Sequence, residues 1–310
     1  MSLVVPTGDI QVNSVLIATD FSEVSEKALR HALAIARHYE AKIYLAHVVS
    51  SLGFTLVGAD AVFAAGEAVR RDARQLQDRL VRSGALAGLS HEVIILQGDI
   101  WGELEAVVRQ EKVDLVVVGT HGRRGLGKLL LGSVAEKIFR QAECLVLTVG
   151  PGSLQDSPVG SSRPIRPFLF TTDFSTSSLH ALPYAVSSAN HFGTRLALLH
   201  VVPVVPMPEG LNRPTADDVV QAQQHTRETT LRRLAELTSQ APKLAVEPEF
   251  LVEFGSPSEE ILRVAKRLKA DAIIMGLHQR VHIDTASHMP WATAYEVACG
   301  ACCSVLTVRK

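Results

Sequence analysis

Residues 114–140 read DLVVVGTHGRRGLGKLLLGSVAEKIFR, and this stretch decides the fold. Its apolar and mostly β-branched beginning, residues 115–118, is typical of a strand that is buried on both faces of a parallel sheet. A glycine-rich segment follows, and an amphipathic pattern starts at Ser133. The stretch therefore predicts a strand, a loop and a helix, which are the parts of a βαβ unit.

The loop has the composition of an anion-binding site. Glycines permit positive φ angles and let a ligand approach the backbone closely. Those of the loop are Gly119, Gly122, Gly125, Gly127 and Gly132. The amides and the dipole at the start of the next helix favour negative charge. Arg123, Arg124 and Lys128 add positive charge. We therefore expect a phosphate group to bind here.

Three glycine motifs can be tested against this loop. A P-loop fails because Leu129 stands where a Ser or Thr hydroxyl must bind Mg2+. A dinucleotide fingerprint fails because its third glycine would fall on Leu130. The spacing G-2x-G-9x-G-S does fit, with Gly119, Gly122, Gly132 and Ser133.

Composition indicates a globular protein. Of 310 residues, 47% are hydrophobic and 20% charged, and the formal net charge is -1. This charge gives no global reason to expect nucleic acid or an anionic membrane as a partner. The start, MSLVVPTGDIQV, lacks a secretion signal, and no apolar run reaches the roughly 20 residues that cross a bilayer. We therefore expect a cytoplasmic protein.

The chain contains an internal repeat. The motif TDFS occurs twice, and Asp20 corresponds to Asp173 at an offset of 153. Later segments repeat as well: DLVVVGTHG matches DAIIMGLHQ, and CLVLTV matches CSVLTV. Two copies of one domain explain these matches. We expect domains at residues 1–150 and 168–310, joined by a linker, 151–167, that is rich in Gly, Ser and Pro.

Short β-rich runs alternate with helical patterns in each copy, which predicts parallel sheets. In the first copy we expect strands near 14–18, 43–49, 91–96, 115–119 and 144–149. The first helix should bury a stripe made of Ala28, Leu29, Ala32, Leu33 and Ala36. Long helices are expected near 60–82 and 215–239. Ser256, Pro257 and Glu259 predict a capping box at a further helix start, with proline in its first position.

Asp20 is the candidate partner of the glycine loop. Ligands of open parallel sheets bind beyond the carboxyl ends of the strands, where the strand order reverses. If the first and fourth strands are neighbours, Asp20 and Gly119 lie in one crevice. The aspartate could then accept a hydrogen bond from a ribose hydroxyl or an adenine amine. Its alternative role is to cap the first helix.

The sequence ATDFS at the first strand end, together with G-2x-G-9x-G-S after the fourth strand, resembles the universal stress protein family. The resemblance covers nearly the whole chain, in tandem. It implies an α/β fold with two similar open parallel five-stranded sheets of order 3-2-1-4-5, with helices on both faces. It also implies that the domains pair through their last strands as an intramolecular pseudo-dimer, and it leaves open whether two chains form a homodimer.

The same resemblance implies the ligand ATP, alone or with Mg2+, and a set of binding residues. The adenosine would meet Ala18, Thr19, Asp20 and the backbone of Val48. Ribose and phosphates would meet Gly119, Gly122, Arg123, Gly132, Ser133 and Val134.

The second copy departs from the loop motif. Gln279 replaces the second glycine, and Trp291 and Ala292 replace the Gly-Ser pair. We therefore expect weak ATP binding there or none, although an adenosine-like or other ligand stays open.

Binding fits these residues better than turnover. The loop contains no carboxylate that could position water, and no hydroxyl follows Lys128. A slow ATPase or phosphotransferase is the alternative class, and a chaperone-like scaffold with incidental nucleotide is a third.

Histidines and cysteines are interpreted as structural. His47 and His200 occupy the same place in an apolar strand of each copy. Cys299, Cys302 and Cys303 invite a metal hypothesis, with His278, His282 or His288 as further ligands. Small buried thiols are the better interpretation, because neither a second C-x2-C motif nor an H-x3-H pair accompanies them.

Overall fold

The computed structural model describes residues 10–50, 59–120, 131–150, 166–204, 215–277 and 292–309. The described residues form two compact units, residues 11–150 and 166–309. The glycine loop between residues 121 and 130, most of the expected linker, and residues 278–291 of the second copy lie outside the described residues.

The described part of the first unit contains five parallel strands. They are β1 (Ser14–Ala18), β2 (Lys42–Ser50), β3 (His91–Gly98), β4 (Leu115–Gly119) and β5 (Leu145–Val149). Their order is β3-β2-β1-β4-β5, as expected. The bounds agree with the sequence-based strands within two residues.

Four helices connect these strands. They are α1 (Glu23–Tyr39), α2 (Ala59–Arg82), α3 (Ile100–Gln110) and α4 (Ser133–Gln141). Because crossover connections are right-handed, α1 and α2 cover one face of the sheet, and α3 and α4 cover the other. The five apolar residues expected on α1 are all buried. This stripe faces β1 and β4, so α1 covers the centre of the sheet.

The second unit repeats the arrangement. Its described strands are β6 (Phe168–Thr171), β7 (Leu196–Pro203), β8 (Glu249–Gly255), β9 (Ala272–Leu277) and β10 (Ser304–Arg309). Its described helices are α5 (Thr176–His191), α6 (Ala216–Gln240), α7 (Pro257–Leu268) and α8 (Ala292–Gly300). The strand order is β8-β7-β6-β9-β10, which is the same 3-2-1-4-5 pattern.

The pairing of β1 with β4 sets the geometry of the first unit. Ala18 lies beside Val118, so the two strands end side by side. At their other end, the Asp114 carboxylate accepts hydrogen bonds from the backbone N–H of Asn13 at 2.7 Å and of Ser14 at 3.1 Å. This carboxylate fixes the register, because a shifted strand would leave buried polar groups unpaired.

The second unit has the same clamp. Asp271 accepts from the backbone N–H of Arg166 at 3.0 Å and donates its own N–H to the carbonyl of Pro167 at 3.1 Å. β6 and β9 therefore also end side by side, with Thr171 next to Met275.

The expected capping box at Ser256 is wrong in part. Ser256 is the N-cap of α7 and Pro257 occupies the first turn, but no side-chain hydrogen bond caps the helix. A complete capping box lies instead at the start of α6, where the Thr215 hydroxyl accepts from the Asp218 N–H and the Asp218 carboxylate accepts from the Thr215 N–H. Sequence spacing alone does not fix the side-chain rotamers that make these bonds.

In the part of the chain that the structure describes, no helix is both long enough and apolar enough to pass through a membrane.

Alanine substitutions at Thr215 and Ser256 should affect the free energy of unfolding to different degrees. Thr215→Ala should lower the free energy of unfolding by about 1 kcal/mol, because the Asp218 N–H loses the Thr215 hydroxyl that accepts its hydrogen bond. Ser256→Ala should change it by about 0.5 kcal/mol or less, because the exposed Ser256 side chain makes no cap bond. Urea denaturation followed by circular dichroism measures both. Equal losses would contradict the assignment of the two caps.

Candidate functional site

The turn after β1 is held by short-range hydrogen bonds. The Thr19 hydroxyl accepts from the Phe21 N–H at 3.1 Å, and the Asp20 carboxylate accepts from the Ser22 N–H at 3.0 Å. Ser22 is the N-cap of α1, and its side chain accepts from the Ser25 N–H at 3.2 Å. Asp20 therefore does not cap the helix itself. It orients the residue that does.

The second unit contains the same turn. Thr172 accepts from the Phe174 N–H at 2.9 Å, and Asp173 accepts from the Ser175 N–H at 2.9 Å. Ser175 caps α5 by accepting from the Ser178 N–H at 3.3 Å. We call this structure the TDFS turn in each unit, residues 19–22 and 172–175. Its duplication shows that the sequence TDFS-x-x-S specifies a local structure independently of the glycine loop.

A histidine of the second strand closes each TDFS turn. His47 Nδ1 lies 2.6 Å from the carbonyl oxygen of Thr19, and its ring stacks on Phe21 with centroids 4.6 Å apart. His200 makes the corresponding hydrogen bond at 2.7 Å and approaches Phe174 at 4.7 Å. Since a carbonyl oxygen only accepts, Nδ1 carries the proton in both. The structural interpretation of the two histidines fits these contacts.

Both turns hold a bulky residue at positive φ. Phe21 has φ of 60° and Phe174 has φ of 62°. Such a conformation costs about 1–2 kcal/mol for a residue with a Cβ atom. The hydrogen bonds of the turn and the ring contact with histidine offset this cost. The turn is thus a rigid platform beyond the first strand.

Gly119 has a packing role that the sequence interpretation missed. A Cβ atom there would lie 2.9 Å from Val24 Cγ1 and 3.3 Å from the Val24 carbonyl carbon. In the second unit, a Cβ atom at Gly276 would lie 2.1 Å from the carbonyl oxygen of Ser177. Glycine is therefore needed for the first turn of α1 or α5 to approach the end of the fourth strand. The signal was present in the sequence, because this glycine repeats while the rest of the loop motif does not.

The two ends of the glycine loop meet. The Gly132 N–H donates to the Thr120 carbonyl at 2.7 Å, and the Thr120 N–H donates to the Val149 carbonyl at 2.9 Å. The end of β4 and the start of α4 are therefore held together, and α4 begins at Ser133 as predicted. The N-cap residue is Gly132, so no side chain of its own covers the first amides of α4. A helix start of this kind favours an anion.

The predicted site residues can be placed from these contacts. Ala18 is the last residue of β1, and Thr19 and Asp20 follow it. Val48 follows His47 on β2 at the same edge of the sheet. Gly119 ends β4 and contacts the start of α1. Gly132, Ser133 and Val134 form the start of α4. Gly122 and Arg123 lie outside the described residues. The structure thus brings the described members of the set to the carboxyl ends of β1, β2 and β4.

The two units differ beside the TDFS turn. In the first unit a small, mostly apolar cleft adjoins Phe21 and His47 and is bordered by Leu76 of α2. In the second unit the guanidinium of Arg233 lies 4.0 Å from the centroid of the Phe174 ring, a cation–π distance. No sequence pattern indicated this arginine.

Burial and charge shift two pKa values in the second unit. Burial lowers the pKa of His200, and the positive charge of Arg233 acts in the same direction, although Asp173 opposes it. For Asp173, burial favours the neutral form, but hydrogen bonds from Ser175 and Ser178 outweigh it and lower the pKa. Asp173 is therefore a carboxylate at neutral pH, and His200 is neutral.

Among the described residues, no group of three or more His, Cys, Asp or Glu side chains is arranged to hold a metal ion. His278, His282 and His288, the histidines of the metal hypothesis, lie outside them.

These features define a chain of two doubly wound α/β domains, each with a TDFS turn where the strand order reverses. The model of the universal stress protein family matches residues 12–150 and 164–309, and the chain belongs to that family.

Known proteins agree with this assignment. A universal stress protein of Methanocaldococcus jannaschii is 29% identical over 150 residues, which are 48% of this chain and 88% of that protein. One of Mycolicibacterium smegmatis is 27% identical over 271 residues, 86% of this chain and 87% of that protein. The crystal structure of a universal stress protein from Archaeoglobus fulgidus has a TM-score of 0.64 at 21% identity and covers 97% of both chains. The last similarity shows the shared fold.

Alanine at the two packing glycines should destabilise the units to different degrees. Gly276→Ala should cost about 3 kcal/mol or more, because its Cβ atom would meet backbone. Gly119→Ala should cost about 1–3 kcal/mol, because the Val24 side chain can move in part. Gly102→Ala in α3 is the control, since its Cβ atom has 3.6 Å of space and alanine favours a helix. Urea denaturation measures all three, and a stable Gly276→Ala variant would contradict the packing role.

The free energy of unfolding of the second unit should decrease as the pH falls, because of His200. Its pKa in the folded chain lies below the ordinary 6.5, so the unfolded chain binds more protons between the two values. The contribution is fully present above about pH 6.5 and is lost as the pH falls toward the folded pKa. NMR titration of the His200 ring should give a midpoint below 6.5. Arg233→Gln should raise that midpoint, and a wild-type midpoint above 6.5 would contradict the effect of burial.

Proposed function

We propose that the chain is a regulatory protein of the stress response and that its first unit binds ATP at the carboxyl ends of β1, β2 and β4. The observation that carries the proposal is the meeting of two elements at one edge. The TDFS turn ends β1, and the start of α4 is tied to the end of the neighbouring β4 by the hydrogen bond between Gly132 and Thr120.

The nucleoside half of the ligand would contact the TDFS turn. Asp20 is held by its hydrogen bond to the Ser22 N–H and is partly exposed, so its carboxylate is an acceptor of fixed orientation. A ribose hydroxyl or an adenine amine supplies the matching donor. Ala18, Thr19 and the backbone of Val48 would border the adenosine on the same edge.

The phosphate half would contact the loop and α4. The amides at Ser133 and Val134 begin a helix whose dipole favours an anion, and Ser133 is exposed. Gly122 and Arg123 belong to the same proposal on sequence grounds, with the arginine neutralising phosphate charge. Mg2+ would be bound by the phosphates of ATP and not by a set of protein ligands.

The proposal assigns one ATP site to each chain. The second unit keeps the TDFS turn, but its sequence has Gln279, Trp291 and Ala292 where the motif requires two glycines and a serine. A turn without a phosphate-binding loop contacts only half of the ligand.

The proposal is one of binding rather than turnover. Residues 119–132 include no Asp or Glu that could orient an attacking water, and Leu129 stands where a hydroxyl would hold Mg2+. The cytoplasm is the compartment that fits an ATP-dependent regulator.

Isothermal titration of the full chain with ATP should give a stoichiometry near one. Asp20→Asn should weaken binding about 10- to 100-fold, because it removes a charge-assisted hydrogen bond worth about 1.5–3 kcal/mol. The asparagine oxygen can still accept from the Ser22 N–H, so the turn should stay folded. Asp173→Asn is the matched control in the second unit and should leave the affinity unchanged.

Two outcomes would overturn the proposal. Two equivalent ATP sites would refute the asymmetry between the units, and the absence of ATP binding at millimolar ligand would refute the site itself. A time course of ADP formation tests the enzyme alternative, since turnover well above background would favour it. Nucleotide released on denaturing the purified chain would separate a tight binder from a scaffold.

A further inference from the structure

The two units differ at the outer edge of their strand order. In the first unit β3 is the outermost strand beyond β2, and in the second unit β8 has the same place beyond β7. Ile95 of β3 and Val252 of β8 are equivalent, because they lie beside His47 and His200. The free side of such a strand offers backbone N–H and C=O groups to which another strand can bind.

Alternate residues of β3 direct their backbone groups toward this free side. The Ser90 carbonyl accepts from the Ile43 N–H of β2 at 2.9 Å, so the even-numbered residues of β3 face β2. The backbone groups of the odd-numbered residues therefore face away from β2. These residues include Val93, Ile95 and Gln97.

Side chains of α6 and α7 cover the corresponding edge of the second unit. The Arg227 guanidinium donates to the Val252 carbonyl at 2.7 Å, and the Val252 side chain is only 2% exposed. The next residue, Glu253, forms ion pairs with Arg263 at 3.0 Å and with Arg267 at 2.9 Å. A paired carbonyl and a cluster of charges oppose the addition of a further strand at β8.

The counterpart of Arg227 does not cover β3. Residues 59–63, ADAVF, match residues 216–220, ADDVV, at an offset of 157, so Arg70 of α2 corresponds to Arg227 of α6. Arg70 forms an ion pair with Glu67 of its own helix at 2.7 Å. Its guanidinium is thus directed along α2 and not to the edge strand.

The open edge is also apolar. Residues 93–96 of β3 read VIIL, and none of them is buried. Ile95 is 36% exposed, and Leu96 stands in the place of the ion-paired Glu253. Val81 of α2, the helix that packs on β3, is 56% exposed. An apolar edge strand with free backbone groups favours association with another strand.

We infer that β3 is an interface with a second copy of this chain, in which the two β3 strands pair in antiparallel orientation about a two-fold axis. The outward backbone groups of each strand then exchange hydrogen bonds with those of the other. A two-fold contact uses the same surface on both copies and closes after two of them. Because β8 is covered, the corresponding edge of the second unit does not extend the assembly.

The sequence of β3 fits its own reverse. Outward backbone groups must face outward groups, so the axis passes through a residue, and the registers that pair most of the strand place it at Ile94 or Ile95. Apolar residues meet at the centre in both registers. Glu92 then lies opposite Leu96 or Gly98 and not opposite its own copy, so like charges do not face each other. A peptide of another protein would not require this symmetry of β3.

The test is sedimentation equilibrium of the full chain without nucleotide. The wild type should be a dimer at roughly 100 µM. Ile95→Lys should raise the dissociation constant of the dimer at least about tenfold, because it places a charge on the apolar edge. Val220→Lys is the matched control, since Val220 is 57% exposed on α6, and it should leave the dissociation constant unchanged. Circular dichroism should show that both variants are folded.

Hydrogen exchange of the wild type gives a second measurement that does not depend on the variants. The outward amides of Val93, Ile95 and Gln97 should exchange more slowly as the protein concentration rises, because dimerisation gives them acceptors. The amides of Ile94 and Leu96, which face β2, should exchange slowly at every concentration.

Three results would overturn the inference. They are a wild type that is monomeric at roughly 100 µM, equal dissociation constants for the wild type and Ile95→Lys, and outward amides whose exchange is independent of concentration. Because no ATP is present in these experiments, their outcome is independent of the nucleotide proposal.

Discussion

The parallel pairing of β1 with β4 is the constraint on which the first unit depends. At one end, the Asp114 carboxylate holds the backbone of Asn13 and Ser14 and so fixes which residues are neighbours. At the other end, Gly119 lets the first turn of α1 approach the tip of β4. A slip of one residue would turn every side chain of β1 to the other face and would separate the TDFS turn from the start of α4. The candidate site is therefore a consequence of strand register.

The glycine at the end of the fourth strand serves packing before it serves any ligand. It occurs in both units, and in the second the approach is even closer. A phosphate-binding explanation alone would not predict Gly276, because the second unit lacks the rest of the loop motif in its sequence. The histidines of β2 and β7 also have a structural role in each unit, because their Nδ1 atoms donate to a backbone carbonyl oxygen.

Much of the fold could be predicted from the sequence, because strong periodicity and an internal repeat point to the same architecture. The buried stripe of α1 and the start of α4 at Ser133 follow from local pattern. Ser256 is the predicted N-cap, but the lack of a side-chain cap bond could not be predicted, since spacing does not determine whether a serine hydroxyl turns toward its helix. The contact of Arg233 with Phe174 also could not, because it joins residues far apart in the chain through one rotamer of a long side chain. The described members of the predicted site lie at one edge of the sheet, because parallel strands end at the same edge.

The side-chain hydrogen bonds described above for the TDFS turn lie within seven residues, while the Thr19 N–H, which donates to the Ala46 carbonyl at 2.9 Å, and His47 tie the turn to β2. The sequence of the turn therefore indicates the fold and says little about which ligand is bound. After a gene duplicates, selection for folding alone is enough to keep such a turn in both daughters while the neighbouring loop drifts. In chains of this kind, the loop that follows the fourth strand is the better guide to what each half recognises.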